Sequence, residues 1–497
     1  MKTNNIYHKD DKEGLRAFLL QVSAKKGKIN ANQLGLRLSD LKNWEISEAW
    51  VKRIKGLVWN DESPKRLIEI DWTMENIAGN LDASKWIALT SLRCGFNLLT
   101  HLDVRNNKAL EILDCPNNSL TILDVTQNTT LEILDCPNNS LTILDVTQNT
   151  ALKILDCCDN YLTVLDVSRN TALDQFVCNH NKLTVLDLHA NTKLSYLECG
   201  RNVLTRLNIS ENTALTGLDC RGNQLTRLDV SENAALIDLD CSYNELIELN
   251  THGCTELTEL QCDENQLTTL DLNTNINLKY LHCSRNQLIE IKTNKNKKLF
   301  QLNCNDNQLR ELNVSKNKRL NYLCCRYNQL IALDTSVNTK LAHLKCDYNQ
   351  LNTIEVTKNT ELILLYCAGN QLTELDVSQN TVLEELGCDN NSLSTLDVTQ
   401  NTTLEELDCG HNSLSTLDVS QNTALEMLSC RTNSLTALDV SQNMKLKYLY
   451  CQHNQLTHLD VSQNTALEAL DCSGNQLTTI PIGAKKSIIE WRKSLFL

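Results

Sequence analysis

The apolar residues of this chain recur in one register. From about residue 81 to 480 the sequence follows LxxLxCxxNxLTxLDVSxNTx, and the stretch LEILDCPNNSLTILDVTQNT occurs twice, letter for letter, at 110–129 and 131–150. Cysteines fall at 94, 115, 136 and onward to 472, always 21 residues apart, which accounts for nineteen of the 22. An asparagine follows each of them three residues later, from Asn97 to Asn475. A second asparagine series runs from Asn107 to Asn464 and is broken only at Cys254. A fixed period of this kind marks a stacked repeat, although a 497-residue chain would otherwise suggest several globular domains.

The unit predicts its own local structure. Leu113 and Cys115 are two apart, so an extended segment turns them to one side and Ile112, Asp114 and Pro116 to the other. One coil alone leaves its apolar side exposed, and stacking buries those sides in a continuous core. The asparagine after the strand sits where a tight turn needs an amide for unpaired backbone groups. The second half, LTxLDVSxN, is too short for a helix and predicts an extended or 3₁₀ segment on the back. At ~4.8 Å per strand, nineteen coils would span on the order of 90 Å.

The cysteine ladder reads as packing. Side chains on neighbouring coils run parallel, which keeps their Cβ atoms too far apart for a disulfide. An unbroken ladder also lacks the paired short spacings of zinc sites. Small buried thiols fit a narrow coil. Three cysteines lie off the ladder: Cys158 and Cys324 on outward strand slots, and Cys254 in place of a turn asparagine. Exposed free thiols there would suit a reducing compartment.

The ends depart from the repeat. Residues 1–70 are expected to form an N-terminal cap of two or three helices, since LRAFLLQVSA and SEAWVKRIKGLV have helical apolar spacing. GLVWNDESPKRLIEIDW reads as a strand leading into the first coil, and LDAS at 81–84 is in register with LDVR at 102–105. The solenoid then covers 71–480. Residues 481–497 are expected to cap the last coil through Ile488, Trp491, Leu495 and Phe496.

With Cys in the third apolar slot of LxxLxLxxNxL, the unit resembles the leucine-rich repeat. The Cys slot, the 21-residue period, the LDVS turns and the GLxWN…LxxIDW lead-in together resemble the cysteine-ladder internalins and related bacterial leucine-rich-repeat surface proteins. That resemblance implies a leucine-rich-repeat solenoid of about nineteen coils. It would have a parallel β-sheet on its concave face, an extended or 3₁₀ convex side and a small α-helical N-terminal cap. It further implies non-catalytic binding of a protein or glycan, with adhesion at a host or cell surface as one role. The chain start lacks the uninterrupted apolar core of a signal peptide, and no stretch is long and apolar enough to cross a bilayer. The expected location is therefore secreted or cell-surface for a processed form, and cytoplasmic otherwise. In the second case the chain would be an intracellular protein-interaction scaffold or regulatory subunit.

Composition and charge narrow where a ligand would sit. Aromatics are only 4% of the chain, yet nine of eleven tyrosines occupy outward strand slots. Tyrosine gives contact area and a polar tip at low entropy cost. The formal net charge is −14, but Lys279 to Lys345 holds thirteen Lys or Arg against four Asp or Glu, a net of +9. The candidate ligand-binding residues are Tyr280, His282, Arg285, Tyr322, Arg326, Tyr327, His343, Lys345, Tyr348 and Tyr366, with an anionic protein or glycan as the expected partner. Nucleic acid is disfavoured, because the whole-molecule charge repels phosphate.

An apolar row, Ile112, Ile133 and Ile154, flanked by Asp114, Asp135 and Asp156, is a second possible protein contact. Stacked carboxylates there, or in the back-side row from Asp103 to Asp166, raise the idea of Ca²⁺. The back row is interrupted by Asn208, Asn250, Lys292 and Asn313, which argues against a required metal site. There is no Gly-rich phosphate loop, paired metal motif or nucleophile in a catalytic setting, so neither a cofactor nor an enzymatic activity is expected.

Overall fold

The computed structural model describes residues 6–42, 44 and 49–479, with the backbone of 489–490. The chain divides into two compact units, Met1–Cys254 and Thr255–Leu497. Each is a β-solenoid with one three-residue parallel strand per coil, preceded in the first unit by a cap.

Strand pairing follows the repeat without slippage. In the first unit Ile112, Ile133 and Ile154 lie side by side, as do Leu113, Leu134 and Leu155. In the second, Leu260, Leu281, Leu302 and Leu323 do the same. Register is fixed because a one-residue slip would turn every leucine out to solvent. The leucines and ladder cysteines are essentially fully buried from Cys94 to Cys472. Burial drives the Cys115 and Cys136 thiols far above their ordinary range, as it does those from Cys283 to Cys451, so these side chains behave as inert hydrophobes.

Two asparagine ladders join coil to coil. The Asn139 amide donates to the carbonyls of Cys136 at 3.2 Å and of Cys115 at 3.1 Å, while its oxygen accepts from Leu120 N–H at 3.0 Å. One side chain thus closes a turn in its own coil and satisfies two backbone groups of the preceding one. In the second ladder, Asn128 donates to Val104 O and Asn107 O at 2.9 and 2.8 Å. Cys254 stands in for such an asparagine, and its thiol points at Val230 O and Asn233 O, the same two carbonyl positions.

The back of each coil is an extended segment ending in turns, and no 3₁₀ turn occurs there among the described residues. The aspartates of LDVS and LDVT have a local task. Asp124 Oδ1 accepts from the Thr126 N–H at 3.1 Å and from its hydroxyl at 2.7 Å, and Asp145 does the same with Thr147. These Asx turns explain the back-side Asp row without any metal.

In the cap, α1 (Lys9–Leu19) begins earlier than the apolar spacing predicts, because His8 accepts from Asp10 N–H and two aspartates sit in the first turn. Its Phe18 stacks on Trp72 at 5.3 Å, and Trp72 meets Trp86 edge-on at 6.1 Å. Asp11 is fully buried, paired with Arg66 at 3.2 Å and accepting from Leu67 N–H at 2.9 Å. A four-residue helix, Asn30–Gln33, follows.

The helix expected over SEAWVKRIKGLV does not form. Within its described part there is only a 3₁₀ turn, Val51–Arg53. The chain leaves the turn at Ile54, which is already extended, and two residues on it passes through Gly56, whose φ is 70° and where a Cβ would lie 1.8 Å from Asp71 O. That close approach starts the antiparallel pair β1 (Leu57–Trp59) and β2 (Leu67–Asp71). On the back, β3 (Ala78–Asp82) pairs with Leu98–Asp103, which puts LDAS in register with LDVR. The expected terminal-cap residues Ile488, Trp491, Leu495 and Phe496 lie outside the described residues. Cys324 and Cys254 are buried, so only Cys158 of the three off-ladder thiols is partly exposed. The expectation that all three are exposed is corrected, and with it the thiol argument for a reducing compartment.

Candidate ligand-binding face

In the second unit the strands hold their outward side chains in four rows. The first contains Tyr280, Gln301, Tyr322, His343 and Leu364, and the second His282, Asn303, Cys324, Lys345 and Tyr366. The third row, after each ladder cysteine, includes Arg326 and Asp347. The fourth is one residue further on and includes Arg285, Tyr327 and Tyr348.

That fourth row has a backbone property that sequence spacing alone did not reveal. Its residues adopt positive φ: 51° at Arg285, 51° at Tyr327 and 53° at Tyr348. The slot is left-handed in all nineteen coils: Gly or Asn fills it in six, and Phe, Asp, His, Arg, Tyr, Glu or Thr in the other thirteen. Tyrosine and arginine are disfavoured there. The aromatic pair nonetheless forms a well-ordered feature: the rings of Tyr327 and Tyr348 are parallel within 5°, with centroids 4.6 Å apart. Arg326 lies over Tyr327 at 5.6 Å. On the other side, Tyr348 leans over Gly369, where a Cβ would come within 2.6 Å of the ring.

The remaining candidates extend this centre. Tyr322 packs against His343 at 5.8 Å, and Lys345 sits over the Tyr366 ring at 5.3 Å. Tyr280 lies two coils before Tyr322 and meets Phe300 edge-on at 6.2 Å. His282 contacts the Gln301 amide at 3.3 Å. Burial, then Cys324, pushes the Tyr322 hydroxyl up to about 12. Burial, then the hydrogen bond to Glu385, raises Tyr366 as well. Both phenols are therefore neutral hydrogen-bonding groups at physiological pH.

The cations are not equally available. Arg285 is paired with Glu264 and lies 3.8 Å from Asp306. Arg326 meets the buried Asp347 at 2.8 Å, in a charge contact rather than an aligned hydrogen bond. Burial raises the Asp347 carboxyl, and the Arg326 charge opposes that rise. Lys345 has no carboxylate partner within ion-pair distance among the described residues. Much of the remaining positive charge lies on the turns leading into the strands, at Lys295, Lys297, Lys298, Lys316, Lys318 and Arg319, all exposed. Three contributors escaped the sequence reading. Phe300, 43% exposed, sits one residue before the counted slots. Asp347 and Glu385 carry charge opposite to the one sought.

No family model and no curated protein matches the chain. Among solved structures, the functional domain of InlJ from Listeria monocytogenes, which includes a cysteine ladder, is 35% identical. The match covers 78% of this chain and 75% of that one, with a TM-score of 0.50. The chain belongs to the cysteine-ladder leucine-rich-repeat family. This cysteine-ladder protein is also similar to a leucine-rich-repeat protein of Leptospira interrogans at 26% identity, over 74% of this chain and 95% of that one, with a TM-score of 0.60. YopM from Yersinia enterocolitica is 25% identical over 82% and 88% of the two chains, with a TM-score of 0.67. The fold is thus a leucine-rich-repeat solenoid, a scaffold suited to binding proteins. Among the described residues of the cysteine-ladder protein, no helix is long and apolar enough to cross a membrane, and no group of three or more His, Cys, Asp or Glu is placed to hold a metal ion.

Proposed function

We propose that this cysteine-ladder protein is a non-enzymatic binding protein displayed outside the cell. In this reading it recognises an acidic segment of a protein, or an acidic glycan, on the strand face between Tyr280 and Tyr366. The observation that carries the reading is the Tyr327–Tyr348 stack. Two tyrosine rings stack in parallel on neighbouring coils, with Arg326 against one of them. Two exposed rings held together in this way offer a rigid contact surface to something outside the fold. Lys345 over Tyr366 supplies a cation beside a neutral phenol, and the exposed lysines on the turns attract an anionic ligand toward the face.

The test is binding to a panel of acidic peptides, acidic glycans and nucleic acids at two salt concentrations. Binding should weaken steeply with salt, because steering is screened over ~8 Å at physiological ionic strength. Tyr322→Ala with Tyr348→Asn and Tyr366→Ala should raise the dissociation rate while leaving the fold intact. A panel member that binds with unchanged affinity to this triple variant would place the site elsewhere, with the Ile112–Ile154 stripe as the next candidate. Protease shaving of intact cells tests the location, and full protection would remove the surface reading.

A further inference from the structure

The second unit carries a second charge block, of opposite sign to the first. From Leu362 to Cys430 there are eleven Asp or Glu and no Lys or Arg. Its exposed members Glu384, Glu405 and Glu406 lie on the same flank of the coils as the basic turns, at the point where each turn runs into its strand. The crowding is felt within the block: burial and then its neighbours Glu385, Glu405 and Glu426 raise the Glu406 carboxyl. Among the described residues, cations reach it from beyond its C-terminal end, Lys447 pairing with Glu426 at 2.6 Å and Arg431 lying 3.9 Å from Asp408, while Glu361 just before the block pairs with Lys340.

The two blocks are placed symmetrically. Lys295 to Lys298 lead into the strand before Cys304, and Lys316 to Arg319 into the strand before Cys325. Glu384 and Glu385 precede Cys388, while Glu405 and Glu406 precede Cys409. Each basic coil is therefore four coils, roughly 19 Å at ~4.8 Å per strand, from an acidic one. The midpoint falls between the coils of Cys346 and Cys367. At that midpoint the slot of Glu384 and Glu405 holds Ala342, which is buried, and Ile363, which is half-buried, while the slot of Lys298 and Arg319 holds Lys340 and Glu361, which pair with each other. Running along the flank, the order is basic, internally neutralised, acidic.

Such a flank is complementary to itself when reversed. We infer that a second copy of this chain docks antiparallel along the flank. A two-fold axis passes between the coils of Cys346 and Cys367, with the basic turns of each copy against Glu384–Glu406 of the other. A two-fold interface must be self-complementary, and opposite charge blocks on either side of a centre that is neutral overall meet that condition. A partner of one charge sign would match only half of the flank. The dimer does not depend on the ligand reading above, and its test uses no ligand.

Sedimentation of the full chain at low and high salt is the experiment. The wild type should be dimeric at low salt and dissociate as salt rises. Lys295→Glu with Lys298→Glu and Arg319→Glu should give a monomer, and so should Glu384→Lys with Glu405→Lys and Glu406→Lys. An equimolar mixture of the two variants should form a heterodimer, because both contacts are then restored. The chain carrying all six changes should dimerise again. All six positions are exposed or on the coil surface, and circular dichroism verifies that each variant folds. A wild type that stays monomeric at low salt overturns the inference. So does a dimer indifferent to either triple reversal, or two monomeric variants that fail to combine.

Discussion

At the scale of single residues, two slots of the coil show how local physics grades the nineteen copies. The slot two residues after each ladder cysteine is left-handed in all nineteen coils. Thr432 occupies it with φ 51°, and a β-branched side chain is least suited to that region. Thr432→Asn should stabilise the protein by about 1 kcal/mol, read as a shift in denaturant midpoint without a change in slope. At Tyr327 the same change should be nearly neutral, within about 1 kcal/mol, since relief of backbone strain offsets a lost ring stack of similar size. The second slot concerns the inner asparagine ladder. The amide oxygen of Asn422 is buried and has no hydrogen-bond partner among the described residues, whereas those of Asn317 and Asn359 accept from Thr293 and Thr335 at 2.8 and 2.9 Å. Those threonines sit where most coils have valine. Val398→Thr should therefore cost less than about 0.5 kcal/mol, against ~1–3 kcal/mol for an unpartnered buried hydroxyl. A loss at the upper figure would show that the hydroxyl does not reach Asn422.

At the scale of an element, the acidic row of the early strands has its own pH signature. Asp114, Asp135 and Asp156 stack in register, and burial followed by Asp156 and Asp114 raises Asp135 to about 7. In the unfolded chain this group releases its proton near ~3.9. Between those values the folded state holds the proton and the unfolded state does not, so stability falls as pH rises through that window. Asp135→Asn should stabilise the protein at pH 8 by about 1–2 kcal/mol after allowing for solvent screening, and should give no gain at pH 4. Equal effects at both values would show that the row is solvated and unstrained.

At the scale of the whole molecule, energy is shared between neighbouring coils, which makes length adjustable in units of one repeat. Removing residues 131–151, one full period within the duplicated stretch, should leave a cooperative fold. Both new neighbours present the same leucine, cysteine and asparagine sets. Removing one residue fewer or more should abolish the cooperative transition, because every strand beyond the junction would turn its leucines outward. Thermal melts of the three deletions would decide this, and loss of folding in the 21-residue deletion would mean the duplicated coils are not interchangeable.

The sequence alone was enough for the solenoid. A 21-residue period repeated through nineteen cysteines leaves one way to bury the leucines, and the asparagine ladders, the strand register and the LDAS–LDVR match followed from it. It was enough, too, to place the tyrosines on the outward face, because alternation along a strand is local. Three things were decided only in three dimensions. Cys324 is buried although its slot faces outward, because Tyr322 and the neighbouring coils cover it. The described part of the expected second cap helix is only a short turn that ends at Ile54, and the approach of Asp71, distant in the pattern, to Gly56 leaves no room for a helix to continue there. Arg285 and Arg326 lose their status as free cations to Glu264 and Asp347, carboxylates one coil away whose reach the net charge of a segment does not record. A repeat fixes where each side chain starts, and the contacts between one coil and the next fix what it meets.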